Sequence, residues 1–194
     1  MGGDPARRRP DRRLLPRRPA AAVVSPSRSP HRPHTITAHT APIDPHIQHQ
    51  GATDMNTLND AIEALRGAGV FYLSTVDGDS PRTRPQGFVM DYDGRPAFTT
   101  HHSKPTYAQL QANPHVEVCA MNGRFGWIRL HGTARFITSD ESRARCAADN
   151  PMLLRTFAPL GGDFEVFVLD DAEADVYSFG PDGNILKRTI RQTA

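Results

Sequence analysis

The chain has 194 residues and a formal charge of +2, long enough for one domain with its own core provided that most of it folds. Two cysteines far apart in sequence exclude a disulfide framework and a zinc-finger spacing, and no apolar run approaches the ~20 residues that span a bilayer. The charge divides unevenly: residues 1–54 hold nine arginines against four aspartates, a charge of +5, which leaves −3 on the remainder.

Residues 1–54 also carry nine of the seventeen prolines and no aromatic Phe, Tyr or Trp. Such a stretch lacks the apolar surface that offsets ordering entropy, so it is expected to be a disordered Arg/Pro-rich tail. Solvated charge in a flexible arm explains its arginines better than a nucleic-acid or lipid partner does. Pro16, Arg17, Arg18 and Pro19 interrupt the apolar core an export signal needs, so the expectation is a soluble cytoplasmic protein with no nucleic-acid or membrane partner. Met55 stands directly before the first helix signal, the place expected of a native start, with 1–54 as an upstream extension.

The folded part, residues 55–194, opens with Thr57 as a helix cap, Leu58, Ile62 and Leu65 on one face, and Gly67 to Gly69 as the stop. Val70 to Val76, a turn at Asp77-Gly78-Asp79-Ser80, and Pro81 to Met90 predict a hairpin. A second turn at Asp91-Tyr92-Asp93-Gly94 leads to a third strand, Pro96 to Thr100. The period then changes: Ser103 is the expected N-cap and Pro105 sits in the first turn of a helix of about two turns that Asn113-Pro114 ends. Beyond it, Val116, Val118 and Ala120, then Ile128, Leu130, Gly132, Ala134 and Phe136, alternate with polar or aromatic neighbours as two more antiparallel strands. Thr138 with Glu141 predicts a capping box for a helix to about Ala148, Pro151 opens a short one, and Phe164 to Leu169 with Ala174 to Phe179 form the last strand or strand pair. Six or seven antiparallel strands with inserted helices argue for a mainly β fold, a β-barrel with peripheral helices.

The segment richest in chemistry pairs Arg82-Thr83-Arg84-Pro85 with Thr99-Thr100-His101-His102-Ser103-Lys104-Pro105. A helix N-terminus offers free amides and partial positive charge, and a lysine in its first turn opposes the dipole unless an anion sits there. Arg82 and Arg84 share a parity and hence a strand face, and two guanidiniums there call for an anion such as phosphate.

These residues, with Phe71 to Gly78, Leu110 to Val116, Trp127-Ile128-Arg129-Leu130-His131-Gly132 and Phe164 to Phe167, resemble the pyridoxamine 5′-phosphate oxidase-like, FMN-binding split-barrel family over nearly all of 55–194. The resemblance implies an antiparallel split barrel and a homodimer with two FMN sites at its interface. It implies phosphate contacts from Arg82 or Arg84, beside Pro85, and from Lys104 beside Ser103. It further implies flavin contacts from Thr99 and Thr100, with Trp127 approaching from the partner subunit. Pyridoxamine phosphate oxidases end in a segment rich in arginine, histidine and tryptophan that grips the substrate phosphate, whereas Gly180 to Thr189 here do not match it. Pyridoxamine phosphate is therefore not the expected substrate.

Other constellations carry less. Adjacent His101 and His102 point apart on an extended chain, so no metal site is expected. Cys119 and Cys146 receive no role, and the acidic run Asp170 to Asp175 fits a solvated connection. No catalytic triad or paired carboxylates stand out, in keeping with redox chemistry carried by a cofactor. The expected function is an FMN-dependent oxidoreductase on a small-molecule substrate. A deazaflavin on the same fold and a non-catalytic flavin or haem carrier are the alternatives.

Overall fold

The computed structural model describes residues 55–123 and 125–192; the tail expected over 1–54 lies outside the described residues. Helix α1 (Leu58–Ala68) starts at a capping box in which the Thr57 hydroxyl accepts the Asp60 amide and the Asp60 carboxylate accepts the Thr57 amide. Its Leu58, Ile62 and Leu65 are buried, as their spacing predicts.

Eight antiparallel strands follow: β1 (Phe71–Asp77), β2 (Ser80–Gln86), β3 (Met90–Asp91), β4 (Pro96–Thr100), β5 (His115–Asn122), β6 (Gly126–Phe136), β7 (Glu165–Phe179) and β8 (Ile185–Arg191). They lie in the order β2-β1-β5-β6-β7-β4-β3, with β8 added on β7. Helix α2 (Pro105–Ala112) fills the β4–β5 connection, and α3 (Asp140–Asp149) and α4 (Met152–Phe157) fill β6–β7. The expected strand over Pro81 to Met90 is two, because the ladder with β1 ends at Gln86 and Met90 pairs with Ala97 instead. The expected last strand or strand pair over Phe164 to Phe179 is one 15-residue ribbon, β7, and β8 follows it.

That ribbon is where the barrel splits. One edge of β7 pairs with β6 over most of its length, while the other carries β4 at Glu165–Val168 and β8 at Glu173–Phe179. Between those two partners the register on β6 shifts across His131/Thr133, and Asp171 takes a positive φ of 52°. Gly132 belongs to this bulge by necessity, because a Cβ there would lie 2.9 Å from the Asp170 carbonyl oxygen and 3.1 Å from the Leu169 Cβ. An open cleft of about 630 Å³ lies at the split, lined by Arg95, Asp170, Glu173 and Arg191 among others. Within it Arg95 pairs with Asp170 and Arg191 with Glu173.

Two apolar clusters sit on opposite sides of β4 and β7. The first fills the barrel with Phe71, Leu73, Phe98, Leu130 and Phe167 beneath α1. The second joins Ala97, Val166 and Val168 to Phe157 of α4 and to Phe164. Cys146 of α3 is buried in this second cluster, where burial first and Asp149 second push its thiol up to about 11. Cys119 is raised by burial and then by Glu117, so neither thiol is activated as a nucleophile. Among the described residues no helix is long and apolar enough to cross a membrane.

Two caps fall one residue later than expected. Ser139, not Thr138, caps α3, exchanging hydrogen bonds with Ser142; the Thr138 hydroxyl instead donates to the Val166 carbonyl. Lys104, not Ser103, is the N-cap of α2 and makes no side-chain capping bond, because the Ser103 hydroxyl is engaged with His101.

Candidate nucleotide site

Arg82 and Arg84 do share a strand face, the one that carries their cross-strand partners Thr75 and Leu73 toward the barrel interior. Their surroundings differ. Arg82 is more than half exposed and donates from Nε to the Asp77 carboxylate at 3.1 Å. Arg84 turns beneath α2, where it donates from Nη1 to Thr75 Oγ1 at 2.7 Å and to the Leu73 carbonyl at 3.3 Å, and from Nη2 to Gln109 Oε1 at 2.7 Å. The Thr75 hydroxyl donates in turn to the same Gln109 oxygen at 2.7 Å. Every acceptor around Arg84 is neutral. Burial, and then the charge of Arg82, hold its guanidinium below the ordinary value, so a half-buried cation stands here with no carboxylate among the described residues to compensate it.

The two threonines that end β4 point to opposite sides. Thr100 has the parity of Phe98 and therefore faces the barrel side of the sheet, as Arg84 does; its hydroxyl oxygen is buried and has no hydrogen-bond partner. Thr99 has the parity of Ala97 and lies on the side of the second cluster, opposite Val166. A buried hydroxyl left unpaired costs about 1–3 kcal/mol, so Thr100 is a second sign that a polar group belongs on the barrel side.

The turn from β4 into α2 is closed by the Lys104 amide, which donates to the His101 carbonyl at 2.9 Å. Ser103 is exposed, and its amide donates to His101 Nδ1 at 3.1 Å. The Lys104 ammonium lies over the Phe157 ring, 5.0 Å from its centroid. Pro85 pairs with Tyr72 and shares its outward face. Trp127 also lies on that outer face, stacked on Tyr177 at 4.6 Å with the rings 7° apart. Within one chain, therefore, Arg84 meets α2 through Gln109 and shares the barrel side with Thr100, the Lys104 ammonium at the start of α2 lies over Phe157, and Pro85 and Trp127 lie on the far side of the sheet.

Thr75, Gln109 and Phe157 are not singled out by the sequence. Thr75 had a legible signal, a polar residue at the core parity of Phe71 and Leu73. Phe157 had none, since only tertiary packing brings α4 over the β4–α2 turn. The two histidines do not point apart as expected: their ring centroids lie 4.0 Å apart, with His101 buried and His102 3.9 Å from Glu165; among the described residues no group of three His, Cys, Asp or Glu side chains is placed to hold a metal ion.

The family model for pyridoxamine 5′-phosphate oxidase matches residues 58–173, a span that begins with α1 and takes in both arginines, the β4–α2 turn and β7 as far as the split. The chain belongs to this family. Members of the pyridoxamine 5′-phosphate oxidase family share the split barrel, and solved structures agree with it. A nimC/nimA family protein from Clostridium acetobutylicum is 32% identical, covering 66% of this chain and 91% of that one with a TM-score of 0.57. A protein from the same organism related to general stress protein 26, of the pyridoxinephosphate oxidase family, is 16% identical over 68% of this chain and 92% of its own, with a TM-score of 0.50. A conserved protein of Mycobacterium tuberculosis is 12% identical over 63% and 84%, also at 0.50. The last two share the fold alone. No curated protein matches the chain.

Proposed function

We propose that the domain binds FMN, with its phosphate at the corner of β2, β4 and α2, and works as a homodimeric FMN-dependent oxidoreductase on a small organic substrate. The observation that carries this reading is Arg84, a half-buried guanidinium held only by neutral oxygens. A phosphate supplies the missing anion through charge-assisted hydrogen bonds. Arg84 and Lys104 would hold that phosphate, Thr100 would contribute its free hydroxyl, and Thr75 with Gln109 fixes the guanidinium in advance, which lowers the ordering cost of binding. A bound flavin would supply the hydride chemistry; the side chains hold it and restrict access.

Placement supports a second copy. Trp127 and Arg84 lie on opposite faces of one sheet, so a tryptophan that contacts the flavin is the partner's. The outer face around it exposes Tyr72 at 52%, Met121 at 59% and Phe179 at 44%, apolar surface of the kind an interface covers. The outcome expected on mixing FMN-loaded protein with a nicotinamide nucleotide without oxygen is bleaching of the flavin band, from a species that sediments as two chains. A flavin that stays oxidised with both NADH and NADPH points to a carrier instead. Extraction of a deazaflavin from native protein, identified by mass, would replace the cofactor on the same site.

A further inference from the structure

The last rung of the β4–β7 ladder carries a carboxylate that the site described so far does not use. Glu165 is the register partner of Thr100, as Phe167 is of Phe98. Partners across an antiparallel ladder share a face, and Phe98 and Phe167 both belong to the cluster inside the barrel. Glu165 therefore continues the barrel-side row that ends in Thr100, on the side of the sheet that Arg84 also occupies.

The Glu165 side chain is largely withdrawn from water, at 16% exposure, and among the described residues its carboxylate accepts no hydrogen bond. Its one ion-pair partner among them is His102, whose Nδ1 stands 3.9 Å away, beyond hydrogen-bond reach. The neighbouring Thr100 hydroxyl is buried and also unpaired. A carboxylate and a hydroxyl left without partners on adjacent strands are two separate signs of one missing polar ligand. They call for different chemistry. Phosphate suits Thr100, whose hydroxyl can donate, but it repels an ionised carboxylate, which has only lone pairs to offer. Glu165 is matched instead by a neutral O–H donor that lies next to the anion.

In FMN the group next to the phosphate is the hydroxylated ribityl chain. Resting on the FMN reading above, we infer that Glu165 is a further ligand-binding residue, whose carboxylate accepts hydrogen bonds from the ribityl hydroxyls while Thr100 beside it donates to the phosphate. Such bonds to an ionised acceptor are charge-assisted. The role is binding and specificity, with no proton transferred: a site built to bond hydroxyls rejects the analogue that lacks them, because its own polar group is then left unpaired. The Phe98 and Phe167 rings, stacked at 5.5 Å one step back on the same two strands, form the apolar floor beneath the pair.

The test compares FMN with an analogue in which a phosphopentyl chain replaces the ribityl phosphate, so that ring and phosphate stay and the hydroxyls go. Glu165→Ala should weaken FMN binding about tenfold, the scale of one hydrogen bond to a charged group, and leave the analogue within about twofold of its wild-type affinity, the scale of a weak surface change. An FMN affinity that stays or rises overturns the inference, a rise meaning that the carboxylate faces the phosphate. Equal loss for both ligands overturns it too, in favour of a ring contact or a structural role. Should this variant fail to fold, the isosteric Glu165→Gln is read in the same way, with an FMN loss of about threefold, since a neutral acceptor bonds roughly half as strongly. Wild-type protein that binds neither ligand sinks the functional reading itself. Wild-type protein that binds FMN through Arg84 and Lys104, yet no more tightly than the phosphopentyl analogue, sinks only this inference.

Discussion

Replacing Arg84 and Lys104 together by alanine should weaken FMN binding by at least tenfold, and by about a hundredfold or more if the two contacts add. Each removes a charge-assisted hydrogen bond to phosphate, about 1.5–3 kcal/mol apiece, and 1.4 kcal/mol is a factor of ten. The two losses differ in kind. Arg84 is fixed in advance by Thr75, Leu73 and Gln109, so its removal takes away a preorganised donor and leaves Gln109 underused. Lys104 must leave the Phe157 ring before it can reach an anion, so part of its gain offsets that lost contact. Arg84→Ala alone should therefore exceed Lys104→Ala alone. Arg82→Ala serves as the internal control, since Arg82 is already paired with Asp77 in solvent. Titration of flavin fluorescence measures all four variants, and an Arg82 effect larger than that of Arg84 would reassign the phosphate to the solvent side of β2.

The largest loss of stability is expected from Phe98→Ala. Phe98 is fully buried on β4 and packs edge-on to Phe71 at 5.9 Å and stacked on Phe167 at 5.5 Å. Deleting such a ring costs about 3–5 kcal/mol, a large share of the ~5–15 kcal/mol by which domains are stable. The same strand delivers Thr100 two residues later on the same face, so FMN affinity should fall with stability. Urea denaturation reads the first effect through a lower midpoint at unchanged slope. A stability, midpoint times slope, within about 1 kcal/mol of wild type would mean that the barrel interior is not packed on this ring.

Much of this architecture is legible in the sequence because the core-facing strands alternate cleanly. Leu73, Val118, Ile128 and Leu130 occupy the parity that patterning assigns to the interior, and α1 keeps both its Thr57 cap and its apolar face. Strand β8 escaped because Ile185, Leu186, Lys187 and Arg188 are all exposed. Nothing in their pattern reports the ladder with β7, which long-range pairing alone supplies. The cap of α2 was misplaced for a local reason: Ser103 had a better partner in His101 than in the helix amides. At the site, parity placed Arg82 and Arg84 on one face, but the contrast between a solvated ion pair and a neutral cradle depends on α2 folding over one of them. Likewise, no spacing rule shows that Trp127 faces away from Arg84; that follows from which strands neighbour which.

The central claim is that the corner of β2, β4 and α2 is a flavin nucleotide site. The visible absorption spectrum of purified protein, incubated with FMN and then freed of unbound ligand, tests it most directly. The account predicts a yellow protein that retains about one FMN per chain, as a site preorganised by fixed donors should, and that releases it when Arg84 and Lys104 are both replaced. A colourless wild-type protein after the same treatment would contradict it.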